Sequence, residues 1–189
     1  MAHRPPNVLF PAALAAEARR LARSGRLRCQ VIDSAQAARM GMNGLLAVGR
    51  GSEHKPCLIR LDYRGNPRSQ VNTVIVGKAI TFDSGGISIK PSSGMEKMKF
   101  DKCGGMAVLG VMKAVADLRL RCNVTGLIAA AENLLSDEAY RPSDIIRMMS
   151  GKTVEVISTD AEGRMVLADA LHYAQKHCKP AALIDLATL

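Results

Sequence analysis

Two carboxylates and a guanidinium lie within five residues of the sequence, at Asp160, Glu162 and Arg164. Carboxylate oxygens are the ligands that hard divalent cations prefer in proteins. A second segment, residues 78–101, adds three carboxylates and four lysines. Together the two segments offer more oxygen ligands than a mononuclear site needs, and this surplus predicts a site for two metal ions.

Helix capping is an alternative explanation for the first pair of carboxylates. Asp160 lies where the N-cap of a following helix is expected, and Glu162 lies in its first turn, where acidic side chains complement the helix dipole. Capping does not explain Asp83, which is followed closely by the glycine pair Gly85-Gly86. Paired glycines allow unusual backbone angles and close approach by a ligand. The residues alone leave both explanations open for Asp160 and Glu162, and they favour a ligand site around Asp83.

Other chemical motifs lack their required context. Residues 150–153 end like a phosphate-binding loop, but position 146 is Ile rather than Gly, and a strand rather than a helix is expected to follow. The sequence contains neither the G-x-S-x-G motif of serine hydrolases nor the H-E-x-x-H motif of zinc proteases. Its four histidines show no ligand spacing. These observations exclude nucleotide binding at this loop and the common serine-dependent and histidine-ligated hydrolase sites.

Composition indicates one soluble globular domain with an aliphatic core, because 48% of the 189 residues are hydrophobic and only 3% are aromatic. No apolar run approaches the ~20 residues of a membrane-spanning helix, and no secretory signal is present. The five cysteines form no C-x-x-C pair, so neither a disulfide framework nor a thiolate zinc site is expected. We therefore expect a cytoplasmic protein without a membrane partner.

Positive charge is concentrated in residues 1–70, where 12 Lys and Arg stand against 4 Asp and Glu. Residues 71–189 carry 14 against 13, so almost all of the net charge of +9 lies in the first third of the chain. Solvated helix faces explain such an excess most simply. A surface for nucleic acid or another acidic partner, and a mitochondrial presequence, are open alternatives.

Alternating strand-like and helix-like segments predict an α/β fold with a mixed, largely parallel central sheet flanked by helices. Ligands of such sheets gather beyond the carboxyl ends of the strands. Asp83 follows one predicted strand, and Asp160 and Glu162 follow another. The pattern predicts helices over residues 11–22, 34–42 (capped by Ser34), 104–118 and 162–177, and strands over residues 27–32, 45–48, 57–63, 71–76, 123–131, 153–157 and 182–189.

Five segments of the chain share their order and spacing with one known family. They are Gly77 to Lys90, Met98 to Asp101, Glu132-Asn133, Tyr140-Arg141-Pro142 and Thr159 to Arg164. Together they resemble the catalytic domain of the cytosolic leucyl aminopeptidases, a dinuclear-metal family that includes bacterial aminopeptidases A and B. The resemblance covers about residues 5–189, and agreement over so many positions is highly specific.

The resemblance implies a set of metal ligands. Asp83 and Glu162 match carboxylates that bridge both metals, and Asp160 matches the ligand that completes the more exchangeable site. Lys78 and Asp101 match the ligands that complete the tighter site. A lysine binds a metal as the neutral amine, so adjacent cations must strongly depress the pKa of Lys78. Oxygen-rich ligation with one amine suits two divalent ions such as zinc or manganese, with cobalt or magnesium as further candidates.

The resemblance also implies a reaction, the hydrolysis of the first peptide bond of a peptide by a water that both metals acidify. Lys90 matches a lysine that stabilises the developing oxyanion, and Arg164 matches an arginine that holds a bicarbonate acting as general base. Met98 matches a residue of the side-chain pocket, which favours leucine or another apolar first residue. Thr188 and Leu189 match substrate-contacting positions. An ordinary helix-surface position for Arg164 and an ordinary core position for Met98 are the alternatives.

Three positions depart from the family pattern near the implied site. Ser158 stands where the family usually has Asn, and Lys102 and Met106 replace the usual residues around the glycines that follow the ligand at position 101. We expect these departures to tune metal binding rather than abolish it.

Family members also carry a separate N-terminal domain and continue past Leu189. We therefore expect a catalytic domain truncated at both ends, with a basic portion in residues 1–70 and the metal-binding core in residues 71–189. The family is hexameric, so a homo-hexamer is expected where the domain is complete. The predicted function is that of a metal-dependent aminopeptidase. The alternative is a catalytically inactive homologue that serves as a structural or interaction subunit of a larger assembly.

Overall fold

Helices and strands are interspersed along the chain in the computed structural model, which describes residues 1–23 and 25–189. Five strands form one central sheet, and two more form a small separate sheet. The helices are α1 (Pro11–Ala22), α2 (Ser34–Arg39), α3 (Asn43–Val48), α4 (Cys103–Asp117) and α5 (Glu162–Cys178). The strands are β1 (Leu27–Ile32), β2 (Cys57–Arg64), β3 (Thr73–Asp83), β4 (Asn123–Asn133), β5 (Ile145–Arg147), β6 (Thr153–Glu155) and β7 (Ala182–Leu186).

The central sheet has the strand order β1-β2-β4-β3-β7 and is mixed. Strand β3 runs parallel to both β4 and β7, whereas β2 runs antiparallel to both β1 and β4. All eleven residues of β4 are buried, as expected for a strand covered on both faces. The predicted α/β class, with a mixed sheet and flanking helices, is confirmed. Because β3 and β4 are parallel, their carboxyl ends lie side by side at the same end of the sheet.

Helices cover both faces of this sheet. Helices α1 and α4 pack on one face, where Met112 of α4 shares a core with Ile128 of β4. Helices α3 and α5 pack on the other face, where Leu45 and Val166 share a core with Leu127 of β4. Neighbouring residues of β4 thus enter opposite cores, because side chains alternate along a strand. Of the helices that the structure describes, none is long and apolar enough to cross a membrane.

Close backbone contact fixes α4 against the parallel strands. A β-carbon on Gly77 of β3 would lie 2.6 Å from the carbonyl oxygen of Gly104, and one on Gly104 would lie 2.0 Å from that of Leu186. Only glycine permits such an approach. The first turn of α4 therefore lies directly on β3 and β7. This contact also brings Asp101, just before α4, beside Lys78 of β3.

The predicted strand over residues 45–48 is wrong, because these residues belong to helix α3. Leu45 and Val48 are buried in the core that α3 shares with α5. The amide of Leu45 donates to the carboxylate of Asp169 at 3.0 Å, which supplies an acceptor that a first helical turn lacks. A short apolar run does not distinguish a strand from a buried helical turn. The partner that decides between them lies 124 residues later.

The predicted boundaries of α2 are also corrected. Its N-cap is Asp33 rather than Ser34, and the Asp33 carboxylate accepts a hydrogen bond from the amide of Gln36 at 2.8 Å. The side chain of Gln36 returns the contact by accepting from the Asp33 amide, which completes a capping box. The helix ends at Arg39 rather than at residue 42.

The predicted buried strand over residues 153–157 is corrected as well. Only the short strand β6 forms, it pairs with β5 outside the central sheet, and Ile157 is 77% exposed. Asp160 does not cap α5, because it lies in a 3-10 turn and Ala161 occupies the N-cap position. Asp160 therefore reaches the carboxyl end of β3 from a 3-10 turn, and Glu162 reaches it from the first turn of α5, rather than from a strand of the central sheet.

Candidate metal centre

A cavity of about 290 Å³ opens at the carboxyl end of β3. The structure brings all ten residues with a predicted site role to this one cavity, and Ala161 and Gly163 complete its wall. Their individual roles stay predictions. The ten residues are Lys78, Asp83, Lys90, Met98, Asp101, Asp160, Glu162, Arg164, Thr188 and Leu189.

The buried ammonium of Lys78 joins three parts of the chain. Its Nζ atom lies 2.8 Å from Asp101 Oδ1 and 2.7 Å from Glu162 Oε1. It also donates to the carbonyl oxygen of Thr188 at 2.7 Å. The hydroxyl of Thr188 donates to Asp101 Oδ1 at 2.6 Å, which closes the group. Strand β3, the turn before α4, the start of α5 and the residues after β7 therefore meet at one side chain.

Asp83 ends β3, and its two carboxylate oxygens have separate partners. The Oδ1 atom accepts hydrogen bonds from the amide of Gly85 at 2.9 Å and from Nδ2 of Asn133 at 2.8 Å. The Oδ2 atom lies 3.0 Å from Nζ of Lys90, which also pairs with Asp160. Lys90 thus connects a carboxylate from β3 with one from the turn before α5.

Three carboxylates converge in the cavity. Asp83, Asp160 and Glu162 each offer an oxygen, and these atoms lie within 4.8 Å of one another. Asp101 Oδ2 and Glu162 Oε2 are buried, and no described residue hydrogen-bonds to them. Buried acceptors without donors are costly, and a divalent cation is a group that would satisfy them. Four carboxylates with one amine form a donor set that fits divalent cations.

Burial and like charge act together on these carboxylates. Burial raises the pKa of Glu162 to about 7, the charge of Asp83 adds to the shift, and Lys78 opposes it. Burial likewise raises the pKa of Asp101, against the lowering effect of Lys78 and Thr188. Four carboxylates share two lysines here. The surplus of negative charge favours the binding of cations in the cavity.

The two lysines are charged in this arrangement. Burial lowers the pKa of Lys78, but the charges of Glu162 and Asp101 outweigh burial and raise the pKa above its ordinary value. Burial also lowers the pKa of Lys90, and hydrogen bonds to its two carboxylate partners, Asp160 first, outweigh it in the same way. A neutral amine at Lys78 therefore requires cations close enough to displace its proton.

Side chains at the mouth of the cavity are more exposed. Arg164 lies on the first turn of α5 and is exposed, and Met98 is half-buried on the 3-10 helix before α4. Thr188 and Leu189 follow β7, and Leu189 is 88% exposed. The mouth therefore presents a guanidinium beside apolar side chains, a combination that can contact a peptide.

Three buried residues without a predicted role hold the site together. Asn133 donates to Asp83, and the hydroxyl of Tyr140 donates to the carbonyl of Thr159 at 2.7 Å. The hydroxyl of Thr159 donates to the carbonyl of Gly85 at 2.6 Å. The resemblance includes all three residues, but it implies no role for them. The available signal for Asn133 is its place at the end of an apolar strand beside β3.

Sequence comparison gives one consistent family. The cytosol aminopeptidase family, catalytic domain, matches residues 1–189. A protein of Geotalea uraniireducens named "Probable cytosol aminopeptidase" is 55% identical over 185 residues, which are 98% of this chain and 37% of the relative. A protein of the same name from Cenarchaeum symbiosum is 48% identical over 189 residues, which are 100% of this chain and 39% of the relative.

Solved structures agree with the sequence comparison over the whole chain. The cytosol aminopeptidase from Coxiella burnetii has a TM-score of 0.93 and 35% identity, and the match covers 100% of this chain and 40% of that one. The bottromycin maturation enzyme BotP in complex with Mn has a TM-score of 0.92 and 39% identity, with 100% and 41% covered. The chain thus spans well under half the length of the relatives that it matches.

Proposed function

The chain belongs to the cytosol aminopeptidase family, and from this membership we propose that it carries the metal centre of a metal-dependent aminopeptidase. The reaction is hydrolysis of the first peptide bond of a peptide with a free N-terminus, with leucine or another apolar residue preferred. The observation that carries the proposal is the convergence of Asp83, Asp160 and Glu162 on one cavity. Lys78 and Lys90 lie between these carboxylates and neutralise part of their charge.

Five residues would hold two divalent cations. Asp83 and Glu162 would bind both ions, and Asp160 would bind one of them. Lys78 and Asp101 would bind the other. Oxygen donors with one amine suit zinc or manganese, and also cobalt or magnesium. The relative BotP is described in complex with Mn, which supports manganese as one usable ion.

When bound, the cations supply an acidified water and polarise the carbonyl of the scissile bond. Lys90 would stabilise the negative charge that develops on that carbonyl oxygen. Its ammonium already lies at the cavity, where it pairs with Asp83 and Asp160, and its side chain is 22% exposed. A donor held in place before the reaction begins is the kind that stabilises an oxyanion effectively.

Arg164 would hold a bicarbonate that accepts the proton of the attacking water as general base. Its guanidinium is exposed, and the ion pairs that the described residues form in the cavity do not involve it. Met98, Thr188 and Leu189 line the same cavity and would contact the first side chain of the peptide.

The assembly and location of the whole protein are part of the proposal, because the chain spans 37% of one relative's length. We propose a cytoplasmic homo-hexamer in which residues 1–70 and 71–189 are the basic portion and the metal-binding core of one catalytic domain. The surplus positive charge of the first portion keeps an acidic partner or nucleic acid open as a ligand of that surface.

A structural subunit without turnover is the second candidate. Strand β7 favours it, because β7 is one of the two edge strands of the central sheet in the part of the chain that the structure describes. Ile184 on this strand is 48% exposed. An apolar edge strand can pair with a strand of another chain or segment.

Calorimetric titration with manganese tests the metal centre. We expect two ions per chain, and we expect Asp83→Ala to abolish both because its carboxylate would contact both ions. Glu96→Ala is the matched control, since Glu96 belongs to the same segment but is exposed and does not line the cavity. A site that binds manganese equally well after Asp83→Ala would contradict the assignment.

Cleavage of a leucyl anilide tests the activity. Turnover is expected to require added manganese or zinc and to vanish in Lys90→Ala. The exposed neighbour Lys97 provides the control variant Lys97→Ala, which is expected to keep wild-type turnover. Manganese binding without turnover in the wild-type chain would favour the structural subunit.

A further inference from the structure

Asn133 ends strand β4 beside the end of β3, where it is paired in register with Asp83. Its side chain is completely buried. Through Nδ2 it donates to Asp83 Oδ1 at 2.8 Å and to the carbonyl oxygen of Thr159 at 3.0 Å. One amide therefore joins the strand that carries Asp83 to the turn that carries Asp160.

The orientation of this amide follows from its surroundings. Asp83 Oδ1 and the carbonyl of Thr159 are both acceptors, so the reversed amide would set its oxygen against two other oxygens. This orientation has a cost, because Asn133 Oδ1 is buried and no described residue donates a hydrogen bond to it. The two donated bonds explain why a side chain with an unsatisfied buried oxygen occupies this position.

Tyr140 holds the same carbonyl from a second direction. Its buried hydroxyl donates to the carbonyl of Thr159 at 2.7 Å. The hydroxyl of Thr159 in turn donates to the carbonyl of Gly85 at 2.6 Å and accepts from the amide of Ser88 at 2.8 Å. Both the backbone and the side chain of Thr159 are therefore fixed immediately before Asp160.

We propose that Asn133 and Tyr140 are positioning residues of the metal centre, a role that rests on the function proposed above. Neither residue lines the cavity. Each fixes a segment that carries a carboxylate, and together they set the spacing between Asp83 and Asp160. A carboxylate whose plane is already fixed loses little freedom when it binds a cation. Partners of this kind change metal affinity by about 10–100-fold.

Manganese affinity, measured by calorimetry on variants that circular dichroism shows to be folded, tests this role. Asn133→Ala removes both donated bonds and is expected to weaken manganese binding about 10–100-fold. Tyr140→Phe keeps the ring and removes only the hydroxyl, so it disturbs folding least. It is expected to weaken manganese binding by a smaller factor, because Asn133 still holds the carbonyl of Thr159.

Asn123→Ala is the matched control. Asn123 begins the same strand, is also buried, and donates through its amide to the carbonyls of Asn66, Ser69 and Val71. These bonds hold the loop after β2, at the opposite end of β4 from Asn133. Asn123→Ala is expected to lower the midpoint of thermal unfolding and to leave manganese affinity unchanged.

The outcomes separate the two proposals. Weaker manganese binding in Asn133→Ala and Tyr140→Phe, with wild-type affinity in Asn123→Ala, supports the positioning role. Wild-type affinity in both site variants, or an equal loss in Asn123→Ala, overturns the positioning role and leaves the proposed function intact. A wild-type chain that binds no manganese overturns the proposed function and the positioning role with it.

Discussion

The side chain of Lys78 passes so close to Gly163 that a β-carbon there would lie 2.8 Å from Lys78 Nζ and 2.8 Å from its Cε. Gly163 directly follows Glu162 in the first turn of α5. Because Gly163 has no side chain, this turn approaches β3 closely enough for Glu162 Oε1 to lie 2.7 Å from Lys78 Nζ. The position of one carboxylate therefore depends on a neighbour that has no functional group of its own.

Gly163→Ala is expected to push Lys78 away from its carboxylate partners. Overpacking of a buried site typically costs about 1–3 kcal/mol of unfolding free energy, and we also expect manganese affinity to fall about tenfold or more, as for other changes around metal ligands. Gly110→Ala on α4 is the matched control, because a β-carbon there meets nothing within 4 Å. It is expected to stabilise the protein by about 0.5–1 kcal/mol and to leave manganese binding unchanged. Equal manganese affinities in the two variants would contradict the steric argument.

Asp169 on α5 supplies acceptors to two other parts of the chain. Its Oδ2 atom accepts from the amide of Leu45 at 3.0 Å, and its Oδ1 atom accepts from the amide of Met149 at 2.8 Å. Asp169→Ala leaves both amides without an acceptor, at about 1–3 kcal/mol each. We therefore expect the free energy of unfolding, measured in urea, to fall by about 2–6 kcal/mol. Asp169→Asn keeps one acceptor but sets its Nδ2 donor against the other amide, so it is expected to lose at least half as much; wild-type stability in Asp169→Asn would argue against the hydrogen-bond explanation.

The elements with strong hydrophobic periodicity could be predicted from the sequence. The bounds of α1 and β1 are as predicted, and α5 extends only one residue beyond its predicted end at residue 177. In each of these elements the apolar spacing and the flanking residues indicate the same structure. The elements that local sequence patterns determine could therefore be predicted without the structure.

Contacts between distant segments could not be predicted in the same way. Helix α3 depends on a hydrogen bond to Asp169. This distant partner cannot be predicted from the four-residue apolar run over residues 45–48. The family resemblance identifies the site residues in the sequence. It does not identify the residues that hold them in place. Asn133 lies 50 residues from Asp83 and 26 from Thr159. No periodicity links such positions, so the buried hydrogen bonds that align the carboxylates appear only in three dimensions.

Glu17 on α1 gives the chain an acid-sensitive contact far from the cavity. It pairs with Arg20 at 2.8 Å and with Arg4 at 2.7 Å. Hydrogen bonds to Arg20 and then to Arg4 lower the pKa of Glu17 below its ordinary value of 4.5. Because the folded-state pKa is the lower one, the contribution to stability is present above pH 4.5 and is lost as the pH falls through the folded-state pKa.

Glu17→Gln is therefore expected to lower the free energy of unfolding by about 0.5–1 kcal/mol near neutral pH. The difference from wild type is expected to shrink as the pH falls below 4.5, which urea unfolding at several pH values would show. Glu53→Gln is the control, because the side chain of Glu53 is 88% exposed and the imidazole nitrogen Nε2 of His54 lies 3.8 Å from its carboxylate. A difference for Glu17→Gln that stays constant across the pH series would rule out the ion pairs as its cause.

Lys78 and Lys90 offer the sharpest separation of metal binding from catalysis, because both pair with cavity carboxylates but only Lys78 is a proposed ligand. Lys78→Met leaves Asp101 and Glu162 without their cation, and breaking a buried ion pair in this way costs about 3–5 kcal/mol. We expect this variant to be less stable and to lose one of two manganese ions.

Lys90→Met removes an ammonium that competes with cations for Asp83 and Asp160. It is expected to bind both ions at least as tightly as wild type and to lose turnover, as calorimetry and anilide cleavage would show together. Loss of manganese binding in Lys90→Met would instead place Lys90 among the ligands and leave the oxyanion without its proposed donor.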